Sequence, residues 1–373
     1  MTSLRNYVIT ICSLSAKAVC VLSAALAAVL FSGCSPRVAT SFWRIGTPAD
    51  STREGYAVLY EGAKMRHCYP ITEWKTNDEK EDVYHSLHHH GVAVESELMA
   101  YRIYFDKRQT IDPYCKRKPQ LELAQSYWYP NDSLLAAGYG DDILRVSGTV
   151  GVGSVKYWNG KKHAHIENIV ERSQRIVKRT NNKATIEVAV KGWKPSSSSS
   201  SSSTSSSSSL VDFTTRYTMR AGHRDMRCDV TLSEAVEGLC TGVQTIPAKG
   251  GKDTVTIVLP NGVLLASWGT DWPVNDSAKY AKETVGLAVF IPHPYADTPV
   301  HDKQNNLCLL KTIPINSQTN GHSPSNSQTG RQPSNFRCHF YLTTVGATKE
   351  NHPVARTAEE WYAYLRKWAK GLK

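Results

Sequence analysis

Short runs in which apolar and polar residues alternate dominate the chain. In ATIEVAVKGW, Ile186 and Val188 alternate with Thr185 and Glu187, and VDFTTRYTM and DMRCDVTL repeat the pattern. A period of two is typical of strands that bury one face. In TVTIVLPNGVLLASW, Pro260-Asn261-Gly262 separates two β-rich runs and predicts a hairpin. Many such strands predict an all-β protein, built as a large antiparallel β-sandwich.

One helix is predicted, at the C-terminus. Thr357 and Glu360 form a capping box, and Gly371 supplies a stop signal. Apolar residues recur at helical spacing between them, namely Trp361, Tyr364, Leu365 and Trp368. We expect the helix to pack on the sandwich through this stripe.

The N-terminus is typical of an export signal. Arg5 and Lys17 flank the start of a short apolar run that ends in LFSGC, Leu30 to Cys34. A basic start, a short apolar run and small residues at the end are the marks of a secretory signal. The cysteine after Gly33 predicts a lipoprotein signal over residues 1–33, with Cys34 as the acylated first residue. We therefore expect a protein lipid-anchored to a membrane, in the periplasm or outer membrane of a Gram-negative bacterium.

The remaining chain is predicted to be a tether over residues 34–55 and a single β-sandwich domain over residues 56–373. Two low-complexity segments interrupt the domain. Ser196 to Ser209 is serine except for Thr204, so it lacks the apolar area needed to order itself and is predicted to be a disordered hairpin loop. The segment from Asn316 to Asn335, rich in Asn, Ser and Gln, is predicted to be a second long loop.

Charge and cysteine usage narrow the possible partners. The net charge is +11, and removal of Arg5 and Lys17 with the signal lowers it by two, to +9. The basic residues are spread along the chain, which argues against nucleic-acid binding, whereas an acidic sugar fits the charge. Six cysteines follow Cys34 without C-x-x-C spacing. We expect most of them to be buried, although export makes a disulfide possible.

The stretch from Tyr84 to Thr110 holds the strongest candidate chemistry. It contains His88, His89 and His90, followed by an apolar run with further polar groups. Imidazole titrates near working pH and suits general acid or base catalysis. If these residues begin a strand, His88 and His90 share a face and His89 points the other way. The alternative is structural polarity. A metal site would combine His85 and either His88 or His89 with an acid, Glu95 or Glu97. No recognised ligand spacing appears, so no metal or cofactor is predicted.

The second half of the same stretch predicts a strand with two different faces. Tyr101, Ile103 and Phe105 form one face, which suits a core. Arg102, Tyr104 and Asp106 form the other. A guanidinium can bind a sugar carboxylate in a bidentate manner, and a tyrosine can stack or hydrogen-bond. The alternative is an exposed polar face with one salt bridge.

Acidic, basic and aromatic residues beside further strands extend the list of candidates. We predict His88, His89, His90 and Tyr104 as catalytic residues. The predicted substrate-binding residues are Arg102, Glu97, Asp142, Arg224, Trp268, Asp271, Trp272 and His339. Tryptophans beside acids are typical of sugar clefts, because the apolar face of a pyranose stacks on an indole ring.

The segments HHHGVAVESELMAYRIYFD and LAAGYGDDILRVSGTVGVGSVKYW, the AGHRD turn and LLASWGTDWP together resemble a family of Bacteroidota lipoproteins known as a domain of unknown function, of the DUF4861 type. The resemblance extends from about Tyr56 to the C-terminal helix. The chain departs from the family at Cys115, where glycine is usual, and in its serine tract.

The resemblance implies a sandwich similar to that of galactose mutarotases, and a role in glycan breakdown. Two functions follow as expectations. One is an enzyme that acts on uronate-containing oligosaccharides as a lyase or dehydratase, by proton abstraction beside the carboxylate. Hydrolysis is the less favoured activity for such an enzyme. The other is a non-catalytic glycan-binding lipoprotein.

Overall fold

The computed structural model describes residues 36–195, 210–248, 254–315 and 335–372. The predicted signal over 1–33, the acylated Cys34, the serine tract at 196–209 and the polar loop up to residue 334 lie outside these residues. Within them, no helix is long and apolar enough to cross a membrane.

The described residues form twenty-three strands and three α-helices. The strands of the first half are β1 (Val38–Ser41), β2 (Trp43–Ile45), β3 (Ala57–Glu61), β4 (Lys64–Pro70), β5 (Glu73–Thr76), β6 (Gly91–Ser96), β7 (Met99–Tyr104), β8 (Ile111–Cys115), β9 (Asp141–Asp142), β10 (Lys156–Trp158), β11 (His163–Ala164), β12 (Glu171–Arg179) and β13 (Lys183–Trp193). Those of the second half are β14 (Val211–Arg220), β15 (Met226–Leu232), β16 (Leu239–Gln244), β17 (Thr254–Leu259), β18 (Gly262–Asp271), β19 (Glu283–Pro292), β20 (Ala296–His301), β21 (Asn305–Leu310), β22 (Ile313–Pro314) and β23 (Phe336–Gly346). The helices are α1 (Val83–Ser86), α2 (Asp132–Ala136) and α3 (Ala358–Lys370), and short 3-10 turns cover Pro48–Thr52 and His88–His90.

The strands build four sheets. The largest has ten strands, in the order β17-β18-β19-β23-β15-β14-β13-β12-β5, with β22 paired to β23. Two five-stranded sheets have the orders β1-β6-β7-β8-β9 and β11-β10-β16-β21-β20, and a three-stranded sheet has the order β2-β4-β3. Neighbouring strands are antiparallel, as the alternating pattern predicted.

The main core lies between the inner face of the ten-stranded sheet and the smaller sheets. Phe213, Cys228 and Phe340 of the large sheet share one buried cluster with Val94 and Ile103 of the β6–β7 pair. Because each strand turns alternate residues to this cluster, a sandwich forms, which confirms the predicted fold class.

Helix α3 packs on the outer face of the large sheet. Its buried Trp361 and Leu365 lie in a second apolar cluster with Leu264 and Phe290 of strands β18 and β19. The Thr357 side chain accepts a hydrogen bond from the backbone of Glu360, at 3.2 Å, which is one half of the predicted capping box. The Glu360 carboxylate accepts from the Arg356 backbone N–H at 2.7 Å, one residue before the position that the capping box requires.

Two predicted connections agree with the strand pairing. Strands β17 and β18 pair on either side of Pro260, as the hairpin signal predicted. Strands β13 and β14, which flank the serine tract, are antiparallel neighbours, with Ile186 opposite Tyr217.

The tether expected over residues 34–55 differs from the structure. Val38–Ser41 pairs with β6, so that Val38 lies opposite Ser96, and Val38 is buried in the main core. Trp43–Ile45 pairs with β4. Residues 38–45 therefore form part of the folded domain as edge strands, because Val38 and Phe42 bury their side chains in the main core.

The six cysteines of the domain are free thiols, and all are buried. They lie in different strands of the sandwich, at Cys68, Cys115, Cys228, Cys240, Cys308 and Cys338. Burial raises the pKa of these thiols, for Cys308 to about 11. The structure thus agrees with the expectation of small buried hydrophobic residues.

Candidate functional site

A cleft of about 750 Å³ opens beside the sheet that contains strands β6 to β8. Three segments form its walls: residues 76–85, which lead into and include part of α1, the turn 105–108 after β7, and residues 167–172 at the start of β12. They are distant in sequence and meet because β5 and β12 are neighbours in the large sheet.

A histidine and an aspartate form a pair on one wall of the cleft. Asp82 is the N-cap of α1, and its side chain accepts a hydrogen bond from the His85 backbone N–H. The same carboxylate lies 2.8 Å from His85 Nδ1, and the hydrogen bond from this side chain lowers the pKa of Asp82 below its usual range. Because a carboxylate only accepts, His85 Nδ1 carries the hydrogen and donates this hydrogen bond to Asp82. Nε2 is then the nitrogen that can accept a proton. The His85 side chain is 60% exposed.

An aromatic stack supports this wall from behind. The Tyr84 ring, which lines the cleft, stacks on His90 with ring centroids 3.9 Å apart. Trp128 covers the other side of His90 at 4.4 Å, and Tyr104 meets Tyr84 edge-on at 5.1 Å. The guanidinium carbon of Arg108 lies 4.7 Å from the centre of the Tyr84 ring, within cation–π range. Burial raises the pKa of Tyr84, so its hydroxyl keeps its proton.

The three consecutive histidines do not begin a strand, contrary to the sequence-based expectation. They form a 3-10 turn in which His89 and His90 have positive φ angles of 55° and 62°. At Gly91, a Cβ atom would lie 2.1 Å from the Ile103 carbonyl oxygen, so only glycine fits the start of β6. The turn breaks the alternation from which a shared face of His88 and His90 was inferred.

The same histidines hydrogen-bond to the protein itself. His88 contacts Ser41 Oγ at 3.1 Å and the Ser126 carbonyl at 2.6 Å. His89 Nε2 donates to the Leu123 carbonyl at 2.8 Å, and His90 Nδ1 donates to that of Tyr84 at 3.1 Å. Burial lowers the pKa of His88 to about 4, that of His90 to about 3 and that of His89 well below its ordinary value. They are neutral supports, and none lines the cleft.

Arg102, predicted to bind a substrate carboxylate, is occupied by the protein. It is 1% exposed, and its Nη2 donates to Asp112 at 2.6 Å and to Asp142 at 2.5 Å. The Tyr104 hydroxyl donates to the same Asp112 oxygen at 2.5 Å. Burial raises the pKa of Asp112 to about 7, and that of Asp142 as well. We call Arg102, Tyr104, Asp112 and Asp142 the closed cluster. It packs behind Tyr84 and does not face the cleft.

Basic side chains lie at the floor of the cleft. Arg172 of β12 is 3% exposed, and its Nη2 donates to the Ile166 carbonyl at 2.8 Å. Among the described residues, its Nη1 has no hydrogen-bond partner. The nearest carboxylate oxygen in an ion pair with it is Glu79 Oε1, at 4.0 Å from Nη2. Arg108, beside it, is paired with Asp106 at 2.5 Å.

The other predicted substrate-binding residues are scattered, and none lines the cleft. Glu97 pairs with Arg37 and accepts from the Gly222 N–H, and Arg224 forms a two-pronged ion pair with Glu350 at 3.0 and 3.1 Å. Trp268 packs near α3, Asp271 lies 3.5 Å from Arg145, Trp272 lies beneath Lys282, and His339 packs against Tyr295 on the outer sheet face. Of all the predicted substrate-binding residues, only Arg102 and Asp142 contact each other.

Sequence reasoning missed most of the cleft. Asp82, Tyr84 and Arg108 were not selected, His85 was considered only as a metal ligand, and Arg172 was not selected. One signal was present, because an aspartate three residues before a histidine at a helix start places both side chains on one turn. In the part of the chain that the structure covers, no group of three or more His, Cys, Asp or Glu side chains could hold a metal ion.

The chain belongs to the family described as a domain of unknown function, DUF4861, whose model matches residues 46–373. Among curated proteins, none is significantly similar to the chain. Two solved structures from Enterococcus faecalis are similar, one described as a protein in the glycosyl hydrolase family 38 and one as an alpha-mannosidase from strain V583. Each is 8% identical with a TM-score of 0.37, over 92% of this chain. The chain spans only 42% and 41% of their lengths.

Proposed function

We propose that this member of the DUF4861 family is an enzyme that acts on acidic, uronate-containing oligosaccharides, with the cleft as its active site. One observation carries the proposal. The Asp82–His85 pair, the Tyr84 ring and the basic floor line a single cleft of about 750 Å³, within the range of small-molecule sites.

The reaction that suits these groups is elimination beside a carboxylate. His85 Nε2 takes the proton from the carbon next to the carboxylate, and Asp82 stabilises the imidazolium that forms. The electron pair of that C–H bond becomes a carbon–carbon double bond as the bond to the leaving oxygen breaks. Tyr84 protonates the leaving oxygen. The products are an unsaturated uronate and the protonated leaving group, which is a shortened oligosaccharide when the leaving oxygen is glycosidic and water when it is a hydroxyl. No other reactant is consumed.

The floor of the cleft supports an acidic substrate. A cation beside the carboxylate stabilises the charge that develops as the proton leaves, and it acts most strongly where water is excluded. Arg172 is buried there. The rim of the cleft also holds acids, so an acidic sugar fits only with its carboxylate at the floor and its hydroxyl groups at the rim. These acids are Asp78, Glu79, Glu81, Asp82 and Glu167.

His85→Gln tests the proposal. Loss of a general base costs about a hundred- to ten-thousand-fold in rate. We expect that loss in the formation of unsaturated uronate from trigalacturonate or glucuronate oligosaccharides, read by ultraviolet absorbance, with an unchanged melting temperature because the side chain is exposed.

His223→Gln is the matched control, because His223 forms a similar exposed pair with Asp225 at 3.1 Å but does not line the cleft. Equal rates for both variants would refute the role of His85. Binding of acidic oligosaccharides by the wild type, with no turnover on any of them, would instead support a non-catalytic glycan-binding protein.

A further inference from the structure

Arg172 carries a buried charge that the described residues leave incompletely satisfied. Among the described residues, the guanidinium makes one hydrogen bond, to the Ile166 carbonyl, and its Nη1 has no partner. A buried charge without an ionic partner at hydrogen-bond distance destabilises a fold. Burial lowers the pKa of Arg172 to about 10, so the guanidinium remains charged at neutral pH.

The acids around Arg172 are engaged elsewhere. Asp106 accepts from Arg108 Nε at 2.6 Å and from the backbone N–H of Arg108 at 2.8 Å. Glu167 pairs with Lys107 at 2.7 Å. Glu79 is the exception, because its side chain is 40% exposed and its carboxylate lies 4.0 Å from the Arg172 guanidinium, beyond hydrogen-bond distance.

We propose that Arg172 is the specificity residue of the cleft, which binds the carboxylate of an acidic sugar, and that Glu79 competes with this carboxylate for the same guanidinium. The inference rests on the proposed function, because it assigns the substrate class of the same cleft. A planar carboxylate suits the fork of a guanidinium better than a point cation would. The exposed Glu79 side chain can turn to water when the sugar binds.

The lining of the cleft holds six carboxylates and four Lys or Arg side chains, so the cations that can attract an anion are those at its buried floor. Lys156 is fully buried behind the turn, where its Nζ donates to Thr110 Oγ1 at 3.3 Å and to the Arg108 carbonyl. Lys156, whose pKa is lowered by burial to about 7, lies with Arg108 and Arg172 near Asp106. Asp106 and Glu167 are the half-buried acids of the lining. The other acids of the lining, Asp78, Glu79, Glu81 and Asp82, are exposed to water, which weakens their repulsion of a bound carboxylate.

Calorimetric binding of trigalacturonate, with maltotriose as the neutral probe, tests the inference in the His85→Gln background, where turnover is suppressed. Arg172→Gln should weaken trigalacturonate about ten- to a hundredfold, the usual effect of losing a charged hydrogen bond. Glu79→Gln should tighten it several-fold. Neither change should alter the affinity for maltotriose.

Arg175→Gln is the matched control, because Arg175 lies on the same strand but on the opposite face, paired with Glu187 at 2.5 Å. Unchanged trigalacturonate affinity in Arg172→Gln, equal losses for both trisaccharides, or no trigalacturonate binding by the wild-type protein would overturn the inference. If Arg172→Gln does not fold, Glu79→Gln decides, and an unchanged affinity then overturns it.

A sulfated neutral disaccharide distinguishes the source of the anion. Arg172-dependent binding of that probe alone would replace the carboxylate with a sulfate ester and overturn the uronate assignment. The proposed function fails separately, if the wild type binds trigalacturonate through Arg172 but forms no unsaturated product.

Discussion

Two buried arginines on different sheets have opposite roles. Arg102 on β7 donates to two aspartates, one of which also accepts from Tyr104. Both of its Nη nitrogens are thus bonded within the protein, and only its Nε has no partner among the described residues. Arg172 on β12 is equally buried, but no carboxylate of the described residues lies within hydrogen-bond distance of it. Burial alone therefore does not mark a functional charge. What marks it is burial without a carboxylate at hydrogen-bond distance, because the fold gains nothing from leaving a charge unpaired.

The largest effect expected from this comparison is on stability. Arg102→Met should lower the free energy of unfolding by about 3–5 kcal/mol, because Asp112 and Asp142 would remain buried without their cation. Urea denaturation measures this loss. Arg175→Met, on the exposed sheet face, should cost no more than about 1 kcal/mol. Similar losses in the two variants would mean that the closed cluster does not stabilise the fold.

An intermediate effect is expected from pH, at the histidine turn beside the closed cluster. The native pKa of His88 is lowered to about 4 from an ordinary 6.5, so this histidine takes up a proton on unfolding below pH 6.5. The free energy of unfolding is thus highest above pH 6.5, and it decreases as the pH falls from 6.5 towards 4. Between pH 7 and pH 5, the wild type should lose about 2 kcal/mol more than His88→Gln in urea denaturation. Parallel pH profiles would show that His88 is protonated in the native state.

The smallest effect is expected where the unpaired charge is removed. Arg172→Met should change the free energy of unfolding by less than about 1 kcal/mol, or stabilise the protein, because the lost hydrogen bond to Ile166 is offset by the removal of a buried charge. Thermal and urea denaturation beside Arg102→Met provide the measurement. A loss as large as that of Arg102→Met would show that Arg172 is a structural residue after all.

The sequence predicted those features that depend on local pattern. The alternation correctly placed Tyr101 and Ile103 on the strand face that packs in the main core. It placed Arg102 and Tyr104 on the other face, where both belong to the closed cluster. The second face is buried as well, because β7 lies inside its sheet and the segment around Trp128 covers it. This cover comes from tertiary packing, which the pattern does not contain.

The candidate site depended on features that no local pattern carries. The positive φ angles of His89 and His90 keep both residues out of strand β6, which begins only at the next residue. Tertiary packing imposes these angles, and the local sequence does not encode them. The cleft forms because β5 pairs with β12, which brings Glu79 near Arg172 across some ninety positions of sequence. An unsatisfied guanidinium nitrogen can be recognised only once every neighbour is in place.

The buried thiols, which lie in different strands, can report local unfolding of the domain. A buried thiol with a raised pKa is inert towards alkylating reagents, because the thiolate is the reactive form and the reagent has no path to it. Each cysteine becomes reactive only when the strand that holds it separates from its neighbours. Mass-resolved alkylation at Cys68, in the three-stranded sheet, and at Cys338, in the ten-stranded sheet, would therefore tell whether the sandwich opens as one cooperative unit or sheet by sheet.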